Sequence, residues 1–170
     1  MTLLKVEKGQ ESFRLVLNRP KCLNALNPEL LLALIDTFAA IAQSDAKVVF
    51  LEGAGQAFSA GADLPAFFQA MSEGKSHEVA DLGRRAVDAL ADLPQLTVAL
   101  IDGVCVGGGL VLASACDLRW ASARSSFSLP EIELGFPVGW GGTARLAAIV
   151  GVAKAKSMTI ECDALDGVQA

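Results

Sequence analysis

The chain has 170 residues, 52% of them hydrophobic and 19% charged, with eight Phe, two Trp and no Tyr; this composition can fill a packed core and excludes a disordered chain. Fourteen basic residues stand against nineteen acidic ones, a net charge of −5, so binding of nucleic acid or of an anionic membrane surface, which calls for a basic excess, is excluded as a main role. The longest uncharged run, between Asp102 and Asp117, includes four glycines and is shorter than the roughly 20 apolar residues that span a bilayer.

Met1 to Gln10 carries Lys5, Glu7 and Lys8 around no apolar run, unlike a secretory leader. Ser12 to Asn18 alternates apolar and polar residues and predicts a strand. Asn27 followed by Pro28 reads as a helix cap with proline at the first helical position. Behind it Leu31, Leu34, Phe38 and Ile41 recur at helical spacing, predicting a helix over Pro28–Gln43. Lys47 to Glu52 reads as a buried strand that Gly53-Ala54-Gly55 ends. Ser76 to Leu93 predicts a second amphipathic helix, with Val79, Leu82, Ala86, Leu90 and Leu93 on one face and Glu78, Asp81, Arg85 and Asp92 on the other, closed by Pro94. Thr97–Ile101, Asp117–Ser122 and Ser126–Leu129 read as further strands, and Gly139–Gly142 opens a last helix. Strands alternating with helices predict an α/β layer architecture in a single domain.

Cys22, Cys105, Cys116 and Cys162 form no CxxC pair, and His77 is the one histidine. That is too thin a ligand set for zinc, so no metal is expected. Reduced thiols in a cytoplasmic protein are the expectation.

Three stretches are richer in glycine or charge than packing requires. In Ala57-Phe58-Ser59-Ala60-Gly61-Ala62-Asp63-Leu64 small side chains leave peptide N–H groups open to a ligand; the plainer reading is a connecting loop with Asp63 as a helix cap. Val106-Gly107-Gly108-Gly109-Leu110 offers close backbone approach and bare N–H groups at a helix start, or simply tight helix-on-strand packing; it lacks the Lys of a P-loop and the spacing of a dinucleotide loop. In Leu129-Pro130-Glu131-Ile132-Glu133-Leu134-Gly135 an inward-facing Glu131 would be a desolvated acid or base, whereas two solvated glutamates are the commoner case. Ala57-Phe58-Ser59-Ala60-Gly61 also approaches the G-x-S-x-G nucleophile elbow, but Ser59 lies beyond the expected strand end and the one histidine falls inside the amphipathic helix.

Read together, these stretches resemble the crotonase superfamily, the enoyl-CoA hydratase/isomerase family. Asn18-Arg19-Pro20-Lys21 with Asn24-Ala25-Leu26, then Phe58-Ser59-Ala60-Gly61-Ala62-Asp63-Leu64, then Asp102-Gly103 with Gly107-Gly108-Gly109 and Cys116-Asp117-Leu118-Arg119, then Pro130-Glu131, Leu134-Gly135 and Gly141-Gly142-Thr143 match the family's segments in order. The resemblance implies a crotonase-like (ClpP/crotonase) spiral of ββα units, assembled as a homotrimer or hexamer, and an enzyme that takes an acyl-CoA thioester with no bound cofactor. It implies an oxyanion hole from the N–H groups of Ala62 and Gly108, substrate contacts from Lys21, Ala60, Gly61, Asp63, Leu64, Gly107 and Pro130, and Glu131 as the catalytic carboxyl. Trp140 stands where it narrows the acyl channel or packs the core.

One departure bears on the chemistry. Family hydratases carry a second glutamate three residues after the middle glycine of the triplet, and that position here is Val111. A single carboxyl suits a proton moved from C2 to C4, so 3-enoyl to 2-enoyl isomerisation is favoured over water addition, with Glu133 or Asp63 as substitute acids for the latter. Dienoyl isomerases carry an aspartate where this chain has Gly139. A non-catalytic acyl-CoA-binding protein is the third reading. The resemblance further implies that 1–170 is the core domain without the family's C-terminal helical trimerisation region, ending partway into a next helix.

Overall fold

The computed structural model describes residues 2–170. Strand β1 (Leu4–Lys8) and strand β2 (Ser12–Leu17) form an antiparallel hairpin. The sequence reading passed over β1 because its Lys and Glu side chains are exposed; its one buried member is Leu4. A 3-10 turn, Pro20–Cys22, leads to helix α1 (Pro28–Ala42), where the Asn27 side chain accepts the Leu30 N–H as expected of a cap. Leu30, Leu31, Leu34, Phe38 and Ile41 are its buried stripe.

The remainder repeats one pattern. Strands β3 (Val48–Gly53) and β4 (Ala57–Ser59) precede helices α2 (Leu64–Ser72) and α3 (Ser76–Ala91); β5 (Leu96–Ile101) and β6 (Val104–Val106) precede α4 (Gly108–Ser114); β7 (Leu118–Ala121) and β8 (Ser126–Ser128) precede α5 (Gly142–Val150) and α6 (Val152–Ile160). Each unit gives its first strand to one sheet and its second to another. The five-stranded sheet runs β1-β2-β3-β5-β7, parallel from β2 onward; the four-stranded sheet runs β4-β6-β8 in parallel, with β9 (Leu165–Asp166) antiparallel at its edge. This is the expected spiral of ββα units.

The core lies between the sheets and under α1, α3 and α4, around Leu15, Leu17, Leu51, Phe38 and Phe58, all fully buried. Helix α4 is buried along its whole length, so the uncharged run 103–116 is a core helix with its approach strand. None of the helices among the described residues is long and apolar enough to cross a membrane.

Three expectations change. The helix after the Gly139–Gly142 segment is not the last, because Gly151 only breaks it and α6 follows. Residues 161–170 form β9 and a turn rather than helix: Leu165 pairs with Phe127 on β8, and the Asp166 carboxylate holds the turn by accepting the Val168 and Gln169 N–H groups. Helix α2, of which the sequence reading gave only the Asp63 cap, occupies Leu64–Ser72.

Candidate active site

Strands β4, β6 and β8 are parallel neighbours, so their C-terminal ends open on the same side of the small sheet. The three ligand-like stretches follow those strands in turn. Stretches separated by dozens of residues are thereby delivered to one place, in the crevice beyond the carboxyl ends of parallel strands. A cavity of about 250 Å³ lies there, and Ala62, Gly108, Val111, Glu131 and Trp140 all line it.

Two of the residues lining this cavity, Ala62 and Gly108, carry unused peptide N–H groups. An isolated parallel bridge ties Leu26 to Ala62: Leu26 N–H donates to Gly61 O at 2.7 Å and Asp63 N–H to Leu26 O at 3.1 Å, leaving the Ala62 N–H on the other side. Gly108 is the first residue of α4, where a helix leaves its N–H groups unpaired. Among the described residues neither N–H donates to the protein. The loops carrying them touch through glycine. A Cβ on Gly61 would stand 3.1 Å from Gly108 N and 2.8 Å from Val106 O, and one on Gly107 would stand 2.9 Å from Glu131 Oε1. Both glycines also hold positive φ, +89° and +55°, a region that side chains with a Cβ enter only with strain.

The same contact fixes the Glu131 carboxyl. Glu131 starts a 3-10 turn, Glu131–Leu134, after β8, and its carboxyl lies on the Gly107 Cα, next to Gly108. Its Oε2 is buried with no hydrogen-bond partner. Burial pushes the carboxyl above the ordinary glutamate range, opposed in part by a hydrogen bond from its own backbone N–H. Glu131 belongs to the cavity lining, and its Oε2 has no partner in the protein. Glu133 is exposed.

The second carboxylate of the lining, Asp63, is otherwise engaged. Its Oδ1 accepts the Ala66 N–H at 3.2 Å as the cap of α2, and its Oδ2 accepts from Arg19 Nη1 at 2.8 Å in an ion pair with both side chains largely covered. Asp63 thus anchors the Ala62 loop through Arg19, and neither oxygen is free for proton transfer. Ser59 ends strand β4, so it does follow a strand; it is fully buried, donates to Asn24 O at 2.9 Å and accepts the Gly61 N–H at 3.1 Å. It braces the Ala62 loop and is sealed off from the cavity, which removes the nucleophile-elbow reading.

Leu64 lines the cavity as the first residue of α2, whereas Ala60, Gly61, Gly107 and Pro130, expected as substrate contacts, are not part of its lining. Lys21 is exposed on the Pro20–Cys22 turn, outside the lining. The sequence reading placed the pocket wall along Ala66–Met71, which holds for Ala66 and Phe67, but missed Phe136, which lines the wall and meets Phe67 edge-to-face with centroids 5.1 Å apart. It also missed Gly83, a glycine inside α3 whose position only the fold explains. Val111 is 3% exposed, and a Cβ on Gly142 would stand 2.4 Å from its Cγ2, so the wall at that point is tightly packed hydrocarbon.

A sequence profile described as enoyl-CoA hydratase/isomerase matches residues 8–170. The chain belongs to the enoyl-CoA hydratase/isomerase family. Within that family, crotonyl-CoA hydratase of Syntrophomonas wolfei is 35% identical over 167 residues, covering 97% of this chain and 64% of its own length. A peroxisomal Δ(3,5)-Δ(2,4)-dienoyl-CoA isomerase of Arabidopsis thaliana is 31% identical over 185 residues, covering 99% of this chain and 66% of its own. The crystal structure of an enoyl-CoA hydratase from Bacillus anthracis superposes with a TM-score of 0.94 at 32% identity, covering 99% of this chain and 66% of that one. The fold is therefore that of the enoyl-CoA hydratase/isomerase family, and this chain spans about two thirds of the length of these relatives.

Proposed function

We propose that the cavity binds an acyl-CoA thioester and moves a double bond from position 3 to position 2. The observation that carries this reading is the pairing of one free carboxyl, Glu131, with a hydrocarbon wall at Val111. Glu131 as carboxylate takes a proton from C2, and the electron pair moves to the thioester oxygen. The N–H groups of Ala62 and Gly108 hold that enolate oxygen. The Glu131 carboxylic acid, which can exchange its proton with solvent, then delivers a proton to C4, leaving the conjugated 2-enoyl thioester. Donors fixed before the charge develops contribute about 10²–10³ in rate each.

The lining supports this over water addition. Apart from Glu131, the committed Asp63 and the Trp140 indole, every lining side chain is hydrocarbon or glycine, so no second free carboxyl stands ready to activate a water. Hydration of a 2-enoyl thioester is the second reading, favoured by the name of the 35%-identical relative. Lys21 serves the phosphate end of coenzyme A from outside the cavity. Assembly as a homotrimer or hexamer is supported by Leu118 and Trp120, exposed on β7 at the open edge of the large sheet. Four unpaired thiols support a cytoplasmic setting; two are buried, and burial pushes Cys116 to about 12.

The test offers the full-length protein a 3-enoyl-CoA and a 2-enoyl-CoA. Conversion of the first with exchange of its C2 protons supports isomerisation, faster water addition to the second transfers the reading to hydration, and binding without exchange transfers it to a non-catalytic protein.

A further inference from the structure

Trp140 precedes α5 with φ +56°, a left-handed backbone uncommon for a bulky side chain. Its indole is wedged between two glycines on different helices. A Cβ on Gly83 of α3 would stand 1.9 Å from Cε2 and 2.2 Å from Nε1, and a Cβ on Gly108 would stand 2.3 Å from Cζ3. One edge of the ring thus sits in a notch of α3 and the opposite edge lies on the first residue of α4. Glycine inside a helix weakens it, and α3 continues for two turns beyond Gly83, so the helix itself has no need of that glycine. A strained tryptophan and a notched helix are both explained by one requirement, an indole at this place. Strain of that kind persists where surroundings over-determine it.

The ring is not sealed in the core: Trp140 is half-buried and lines the same cavity as Glu131 and Ala62. We infer that Trp140, seated in the Gly83 notch, is the specificity-determining wall of this site and restricts it to acyl groups that are slender at their first carbons. The inference rests on the thioester reading above, because it is the oxygen held at Gly108 that places those carbons beside the indole. Bulk at the branch points next to the carbonyl meets the ring first. Removing the ring joins the notch to the cavity and admits that bulk.

The experiment compares kcat/KM of the full-length protein for a linear four-carbon 3-enoyl-CoA, a branched one and a phenyl-bearing one. Trp140→Ala is expected to raise the ratio of bulky to linear substrate by about tenfold or more, and Trp140→Leu to raise it by a smaller factor. Gly83→Ala is expected to depress all three substrates while the indole is present, and to be harmless in the Trp140→Ala background, where its methyl has room. A tryptophan that only packed the core would lower stability and all three substrates alike. An unmoved ratio in a folded Trp140→Ala or Trp140→Leu protein overturns the inference, as does a Gly83→Ala effect that is the same in both backgrounds. If the wild-type protein turns over none of the three esters, the thioester reading itself fails; if it turns over the linear ester and the ratios stay fixed, only the role of Trp140 fails.

Discussion

Glu131→Gln isolates the proton-shuttle role with the least disturbance. The amide keeps the shape of the carboxyl against Gly107, where Oε1 lies 2.9 Å from the position a Cβ would take. Oε2 has no protein partner to lose, so no network collapses. The substitution removes a group that accepts and returns a proton, an effect of about 10²–10⁴ in rate, or about 3–5 kcal/mol of barrier at 1.36 kcal/mol per decade. The Ala62 and Gly108 N–H groups are untouched, so CoA-ester affinity should stay within about threefold, below 1 kcal/mol. Stability should hold or rise, since a desolvated carboxyl is replaced by a neutral amide. The assay follows the appearance of the conjugated thioester by ultraviolet absorbance, with affinity read separately by calorimetry. A folded Gln variant that isomerises within about threefold of wild type would show that another group moves the proton.

Other consequences are equally open to measurement. Isomerisation should fall as pH drops through the raised value of Glu131, an acid limb lying above the roughly 4.3 of an ordinary glutamate; a limb at or below that value speaks against a desolvated base. In the linkage sense, a carboxyl raised by folding stabilises the fold while protonated and loses that contribution as pH rises through its folded value. The stability advantage of Glu131→Gln over wild type should therefore grow across that window in denaturant titrations, and a flat difference argues that burial does not set the shift. Asp63→Ala removes the α2 cap and leaves Arg19 unpaired, which should cost about 2 kcal/mol in thermal or chemical unfolding and weaken turnover through the Ala62 loop; a neutral result means the loop is held by other contacts. Gly107→Ala pushes a methyl toward Glu131 at a φ of +55° and should lower kcat by about 10²-fold through misplacement alone; an unaffected kcat would detach Gly107 from the positioning of that carboxyl.

Periodicity carried the reading of the long elements. Asn27-Pro28 and the stripe from Leu30 to Ile41 announce α1, and α3 shows the same two-faced pattern. Where the periodic signal is weak the reading stops short. Strand β1 has a single buried residue, and β4, β6 and β8 are three residues each, too brief for alternation to register. Those short strands nonetheless aim the site, because their parallel pairing gathers the three loops. The identity of the candidate site residues was legible in the glycine-rich stretches and in Pro130-Glu131, while the division of labour between the carboxylates was not. Asp63 and Glu131 look alike in sequence; only the fold shows that Arg19 and the α2 cap occupy one and that the other has a bare oxygen. The Gly83 notch was visible as a glycine inside an amphipathic helix, a signal whose meaning depends on a tryptophan 57 positions along the chain.

The central claim is that one carboxyl, sharing a largely apolar cavity with two bare N–H groups, shuttles a proton instead of activating water. The most direct measurement follows full-length protein with a 3-enoyl-CoA in deuterated water, alongside a 2-enoyl-CoA under the same conditions. The account predicts conversion of the 3-enoyl ester to its 2-enoyl isomer with exchange at C2, and water addition slower by about tenfold or more. Hydration as fast as the double-bond shift, or ester binding with no exchange at C2, would contradict it.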